Sequence, residues 1–413
     1  MTKDVLIRDL DNEDLEWIGK AIPVGSTQNE FLRDILRQAR FESFQPSLFD
    51  TMSKPTTIHG YMPFKFIDLF AGIGGFRSAM TALGGECVFT SEWDKFAVKT
   101  YREWYGDDDI NSEDIREVDP EKVIPDHDIL CAGFPCQPFS LAGVSKKNSL
   151  GRLHGFDDLD QGNLFFAIMN IVDAKRPPVL MLENVKNLRS HDKGNTWTVI
   201  RKSIENRGYV VHERVIDAQA WVPQHRERIF IVCFDKNIFG SQGQIGFEFP
   251  EPPSSIAPKL GSILHGTAPD RKYMLSDKLW KYLQDYAAKH KAKGNGFGYS
   301  RFGRDDVART MSARYHKDGS EILINQRGWK NPRRLTPAEA MQLMGFEQRY
   351  SSLFGHKDGF PQVVSDTQAY RQFGNSVVPI VVEAVGRKVV EAMARVFLHT
   401  DTGCLLKGRS VAV

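Results

Sequence analysis

Between residues 64 and about 235, short apolar runs alternate with stretches of helical periodicity. Six runs read as strands: 64–70, 86–90, 128–132, 179–182, 210–215 and 228–234. Strands that alternate with helices predict a parallel α/β sheet. Four prolines between Pro250 and Pro258 then mark a break. The Gly-, Lys- and Tyr-rich sequence beyond it has weak periodicity and suits a small irregular domain. The sheet pattern is expected to resume near Phe373, followed by a helix from about Pro379 to Phe397. The organisation expected is an N-terminal segment (1–50), a linker (51–63), a large α/β domain (64–249), a small domain (250–371), a closing part of the large domain (372–400) and a tail (401–413).

The first fifty residues carry their own pattern. Val5 to Leu10 reads as a short strand. Leu15, Ile18 and Ile22 share one face of a first helix. Pro23-Val24-Gly25 breaks it, and Thr27 with Glu30 fits a capping box for a second helix bearing Phe31, Leu32, Ile35, Leu36 and Ala39. Strand, helix, turn and helix resemble the ribbon-helix-helix repressors, dimers whose paired strands enter a major groove. That resemblance implies a homodimer through residues 1–50, Arg8 facing DNA, and binding to the promoter of the protein's own operon. The plainer reading is an amphipathic extension that packs on the large domain or mediates dimerisation.

Length and composition narrow the class. A chain of 413 residues exceeds one ordinary core. With 41% hydrophobic and 26% charged residues it reads as a globular protein, and it lacks the run of roughly 20 apolar residues that a membrane span needs. Five cysteines without a CxxC pair give neither a disulfide framework nor a zinc site, so no metal is expected and a reducing cytoplasm fits. Net charge is only +2, but residues 258–333 hold 16 Lys/Arg against 7 Asp/Glu, a local +9 that leaves −7 elsewhere. Such asymmetry is the footprint of a phosphate-facing region.

The first strand leads into Phe70-Ala71-Gly72-Ile73-Gly74-Gly75, a turn that opens a helix near Phe76. Glycines let backbone approach a ligand, and a helix start offers unpaired N–H groups. Glu92, about 20 residues on at the next strand's end, suits both hydroxyls of a ribose. Trp93 is placed to stack on an adenine and Asp114 to accept from its amino group. Packing is the commoner fate of a tryptophan, and this spacing alone does not separate NAD from S-adenosylmethionine.

The third strand ends in Gly133-Phe134-Pro135-Cys136-Gln137, where a cysteine beside a rigid proline is placed like a nucleophile. Glu183-Asn184-Val185 ends another strand, and Gln224-His225-Arg226-Glu227-Arg228 precedes the last. Cys87, Cys131, Cys233 and Cys404 read as structural, the usual state of a cysteine. Residues 137–163 form a long polar stretch with Ser140, Lys146 and Arg152, read as a mobile loop.

In this order the four signatures resemble the cytosine-C5 DNA methyltransferases over about residues 64–397. The resemblance implies a Rossmann-like S-adenosylmethionine-dependent domain plus a small target-recognition domain, with double-stranded DNA between them. It implies Cys136 as nucleophile toward C6 of a flipped cytosine, Glu183 at N3 and the exocyclic amine, and Arg228 at O2 while orienting Glu183. Arg226 would hold the catalytic loop or a phosphate. Ile115, Pro135, Leu164, Asn375 and Val377 would join Phe70 through Gly75, Glu92, Trp93 and Asp114 around the cofactor. Residues 294–299 and 312–324 resemble the recognition region of Dcm-like members, implying a CC/GG palindrome (CCWGG, CCNGG or CCGG) modified at its inner cytosine. Ser140, Arg314 and Lys317 are candidate DNA contacts. A cognate restriction endonuclease and nucleoid association would follow. A tRNA methyltransferase on the same blocks, or a non-catalytic DNA-binding regulator, are the alternatives.

Overall fold

The computed structural model describes residues 63–106, 110–135, 164–241, 245–254, 257–264, 270–294, 298–326 and 328–397. Cys136, Ser140, residues 1–50 with Arg8, the linker, the 137–163 loop and the tail lie outside them.

A six-stranded sheet organises the chain. Its strands are β1 (Phe64–Leu69), β2 (Gly85–Ser91), β3 (Ile129–Gly133), β4 (Val179–Val185), β5 (Tyr209–Asp217) and, after the two-residue β6 (Gln224–His225), β7 (Glu227–Asp235). The order is β2-β1-β3-β4-β7-β5. All six expected runs are strands, each within a few residues of its expected ends. The sheet is parallel from β2 through β4, as the alternation predicts, while β7 runs antiparallel to both β4 and β5. Only nine residues separate β5 from β7. A parallel crossover needs a dozen or more, so a connection this short can only reverse the chain.

Helices cover both faces. Alternate strand residues sort into two cores. Phe66, Cys131, Met181 and Val232 pack with α1 (Gly75–Ala82), α2 (Lys95–Tyr105) and a C-terminal helix (Pro379–Phe397). Ile67, Leu130, Leu182 and Ile231 pack with α3 (Leu164–Lys175) and α4 (Asn195–Glu205). Cys131 and Cys233 are fully buried, and burial pushes both thiols well up from their ordinary range.

Beyond Pro258 come α5 (Asp277–Ala292), the two-residue strands β8 (Arg301–Phe302), β9 (Ala308–Arg309) and β10 (Leu323–Ile324), and helices α6 (Pro337–Leu343), α7 (Gln348–Leu353) and α8 (Asp366–Asn375). The strand expected near Phe373 is therefore a helix. Ala369, Tyr370 and Phe373 are buried at helical spacing, and Ser365 caps the start by accepting from Gln368 N–H. The last helix, α9 (Pro379–Phe397), has the bounds expected from the sequence. Gly386 lets it pack against Met80 and Leu83, so the last described helix lies on α1.

Candidate active site

Beyond the ends of β1–β4 lies an open cavity of about 550 Å³. Phe70, Ala71, Gly72, Ile73, Glu92, Trp93, Asp114, Ile115, Pro135, Leu164, Asn375 and Val377 line it, together with Glu183 and Arg228. Gly74 and Gly75 do not. A Cβ on Gly74 would overlap the Tyr105 ring, and one on Gly75 would overlap Val377. These two glycines let the loop pack on α2 and on the distant segment that carries Val377. Gly72 meets nothing within 4 Å, and there the backbone angle (φ +56°) is what favours glycine. Phe70 adopts φ +55° without that freedom, a strained conformation of the kind that gathers at functional sites.

The Gly72 N–H donates to Glu92 Oε2 at 2.8 Å, and the Asp94 N–H to Oε1 at 2.7 Å. Each carboxylate oxygen keeps acceptor capacity toward the cavity. Burial raises the Glu92 carboxyl above its ordinary range, opposed by those N–H donors. Trp93 is 64% exposed at the rim, so the packing reading fails for it. Asp114 already accepts from Arg116, which holds its carboxyl below the usual range.

Glu183 and Arg228 meet because of sheet register. Glu183 pairs with Phe230, and Arg228 lies two residues along β7 on the same face. Arg228 Nε stands 3.1 Å from Glu183 Oε1. Burial raises the Glu183 carboxyl, and the Arg228 and Arg226 charges oppose the rise. On the adjoining strand Gly133 is the neighbour of Glu183, and a Cβ there would lie 3.7 Å from Glu183 Oε2.

Arg226 is held inside the protein by backbone carbonyls. It is 2% exposed; Nη1 donates to the Met311 carbonyl (2.9 Å), and Nη2 to those of Gly374 (3.1 Å) and Ser376 (2.6 Å). Burial, and secondarily Arg228, lower its pKa to about 9. These bonds form a clamp joining the start of β7, the 308–313 segment and the end of α8; the 137–163 stretch that Arg226 was expected to hold lies outside the described residues. Gln224 reinforces it, accepting from Met311 N–H at 2.8 Å and donating to the Leu343 carbonyl at 3.2 Å. Arg314 and Lys317 lie just beyond that segment and are exposed.

Sequence reasoning gave Asn184 no role. Its buried Nδ2 donates to the Phe134 carbonyl at 2.9 Å and so fixes the backbone two residues before Cys136. Its place beside Glu183 at a strand end was the available signal. Glu113, Gln368 and Arg371 also line the cavity, and nothing in their local sequence marked them.

Residues 64–391 match the model of the C-5 cytosine-specific DNA methylases. The chain belongs to that family. It is 45% identical over 397 residues to the DNA-cytosine methyltransferase of Escherichia coli K12, a match covering 83% of this chain and 82% of that one. It is 38% identical over 388 residues to the type II methyltransferase M.HpaII of Haemophilus parainfluenzae, covering 89% and 100%. Among solved structures, the S. pombe Dnmt2 methyltransferase superposes with a TM-score of 0.61 at 18% identity, covering 80% of this chain and 99% of that one, which supports the shared Rossmann-like fold. This C-5 cytosine-specific DNA methylase is therefore an enzyme that methylates cytosine in DNA. Among its described residues no helix is long and apolar enough to cross a membrane.

Proposed function

We propose that this methylase transfers a methyl group from S-adenosylmethionine to C5 of the inner cytosine in a short CC/GG palindrome, as the modification arm of a type II or Dcm-like system. The observation that carries the reading is the Glu183–Arg228 pair, 3.1 Å apart, lining one cavity with Glu92 and Trp93.

The lining fits the cofactor. The carboxylate of Glu92 would accept the ribose hydroxyls, Trp93 would stack on the adenine, and Asp114 would accept from the adenine amine. The Phe70 and Phe76 rings suit a sulfonium, because aromatic faces attract cations. When bound, S-adenosylmethionine supplies an electrophilic methyl group.

The cytosine would be flipped from the duplex at a cost of a few kcal/mol. The Cys136 thiolate adds to C6, and Glu183 shares a proton with N3, so the electron pair of the C5–C6 bond is delivered to C5. Burial favours the protonated carboxyl that this step uses. Arg228 holds O2 and keeps Glu183 in place. After C5 gains the methyl group, it loses its proton to a base, the C5–C6 double bond re-forms and the thiolate leaves. Arg314, Lys317 and Ser140 would contact DNA, and residues 1–50 would bind the operon's promoter as a dimer. A cytoplasmic, nucleoid-associated enzyme working beside a cognate endonuclease fits this reading.

Bisulfite sequencing of plasmid DNA after incubation with enzyme and S-adenosylmethionine tests it, with Cys136→Ser as control. Protection confined to one CC/GG palindrome and lost in the control is expected. Protection at unrelated cytosines, or an active control, would overturn it.

A further inference from the structure

Helix α5 lies outside the cavity and takes no part in the chemistry above. It is attached through few side chains, with Trp280 and Leu283 as its buried residues. Trp280 packs on the Tyr299 ring, and the Arg301 guanidinium lies 5.5 Å from its centroid. At about 100° per residue, Lys278, Tyr282, Tyr286, Lys289 and the cap residue Lys293 fall within an arc of about 80°, turned away from Trp280 and Leu283. Tyr282 is 56% exposed, and its ring stacks on Tyr286 at 5.6 Å and 22°. Among the described residues none of these three lysines has an ion-pair partner. Lys281, off the stripe, is held by Asp285 at 3.0 Å.

A solvated helix usually mixes its charges on the exposed face, and here both acidic residues of the helix, Asp277 at its start and Asp285 at the edge of the stripe, are paired with groups outside the stripe. Asp277 is bound by Asn331 and Lys330, and Asp285 by Lys281. The stripe is therefore cationic along its length. Sixteen residues at 1.5 Å each make about 24 Å, or roughly seven base pairs at 3.4 Å. Tyrosine hydroxyls between lysines suit phosphate oxygens, which take half or more of protein–DNA hydrogen bonds.

We propose that the Lys278–Tyr282–Tyr286–Lys289–Lys293 face of α5 is a sequence-independent docking surface for duplex DNA flanking the target site. It rests on the DNA activity above and adds a second contact, separate from Arg314 and Lys317. Its effect is to hold the enzyme on long DNA rather than to choose the base.

The test is full-length enzyme carrying K278Q, K289Q and K293Q together, with K281Q as control. Methylation of a short duplex holding only the recognition site reports whether the enzyme still folds and reacts, and it should be unchanged. Each released phosphate contact contributes about 0.9 to the slope of log K against log salt. The triple variant should lose about 2 to 3 from that slope on long duplexes, cognate and non-cognate alike, and K281Q nothing. An unchanged slope would overturn the proposal. So would a loss confined to cognate DNA, which would make α5 a base-reading element, or one confined to single strands, which would make the tyrosine pair a stacking platform.

Discussion

Asn184 Nδ2 donates to the Phe134 carbonyl at 2.9 Å, tying the strand that carries Glu183 to the segment just before Cys136 in sequence. The same side chain accepts from Val185 N–H through Oδ1 at 2.8 Å, so its amide cannot turn without losing both bonds. Asn184→Asp keeps the acceptor and removes the donor. The expected result is a fall in kcat of about 10²-fold, of the size seen when a reacting group is misplaced by about an ångström, with little change in KM for the cofactor. Single-turnover methylation separates this from a binding defect.

Glu183→Gln keeps the shape but cannot deliver a proton. A loss of about 10² to 10⁴-fold in kcat is expected, the usual range for general acid catalysis. The sign of the pH dependence follows from burial. Because the carboxyl is raised, its protonated form persists toward neutral pH, and the rate should fall as pH climbs through that raised value. Arg228→Gln removes the leading charge that opposes the rise, so the falling limb should move to higher pH even as the maximal rate drops.

Trp93→Ala tests the rim. The side chain is exposed, so the melting temperature should barely move. Affinity for S-adenosylmethionine should weaken by up to about tenfold, in line with about 0.5 to 1.5 kcal/mol for an aromatic stack. Calorimetric titration measures it, and a large loss of stability instead would restore the packing role.

Arg226→Ala leaves the carbonyls of Met311, Gly374 and Ser376 without their donor in a buried place. Each stranded acceptor costs about 1 to 3 kcal/mol, so a loss of more than about 3 kcal/mol is expected by denaturant unfolding. Lysine cannot reach three acceptors with one ammonium, and Arg226→Lys should recover only part of this.

Asp68 is fully buried beneath the glycine loop, accepting from Arg77 N–H at 3.2 Å. Burial raises its carboxyl to about 7. The folded state then binds a proton that the unfolded state releases near pH 4, so stability declines as pH rises from about 4 to about 7 and is level above. Asp68→Asn should flatten that decline, by up to about 4 kcal/mol, in unfolding curves taken across this window.

Strands were legible because each is an apolar run, and α9 because its period is long and regular. Strand direction was not, since it depends on the length of the β5–β7 connection rather than on the strands themselves. Phe373 was misjudged because a few apolar residues before a glycine fit either element. Within the site, Glu92, Trp93, Glu183 and Arg228 announced themselves by position at strand ends. Arg226 shares that position, and its burial could not be read from its neighbours, because the carbonyls it meets lie 85 to 150 residues away. Gly374 is similar: a Cβ there would overlap the backbone of Ser312 and Ala313, a constraint invisible at the sequence level.

The cavity's first wall is Phe70–Ile73 and its last is Asn375–Val377, roughly 300 residues later. At about 5 to 20 residues per second, a ribosome needs about 15 to 60 seconds to travel between them. A nascent chain therefore has no completed cavity until synthesis reaches the start of α9. Prematurely ended chains would be unable to methylate, and the cell's supply of this activity is counted in finished molecules only.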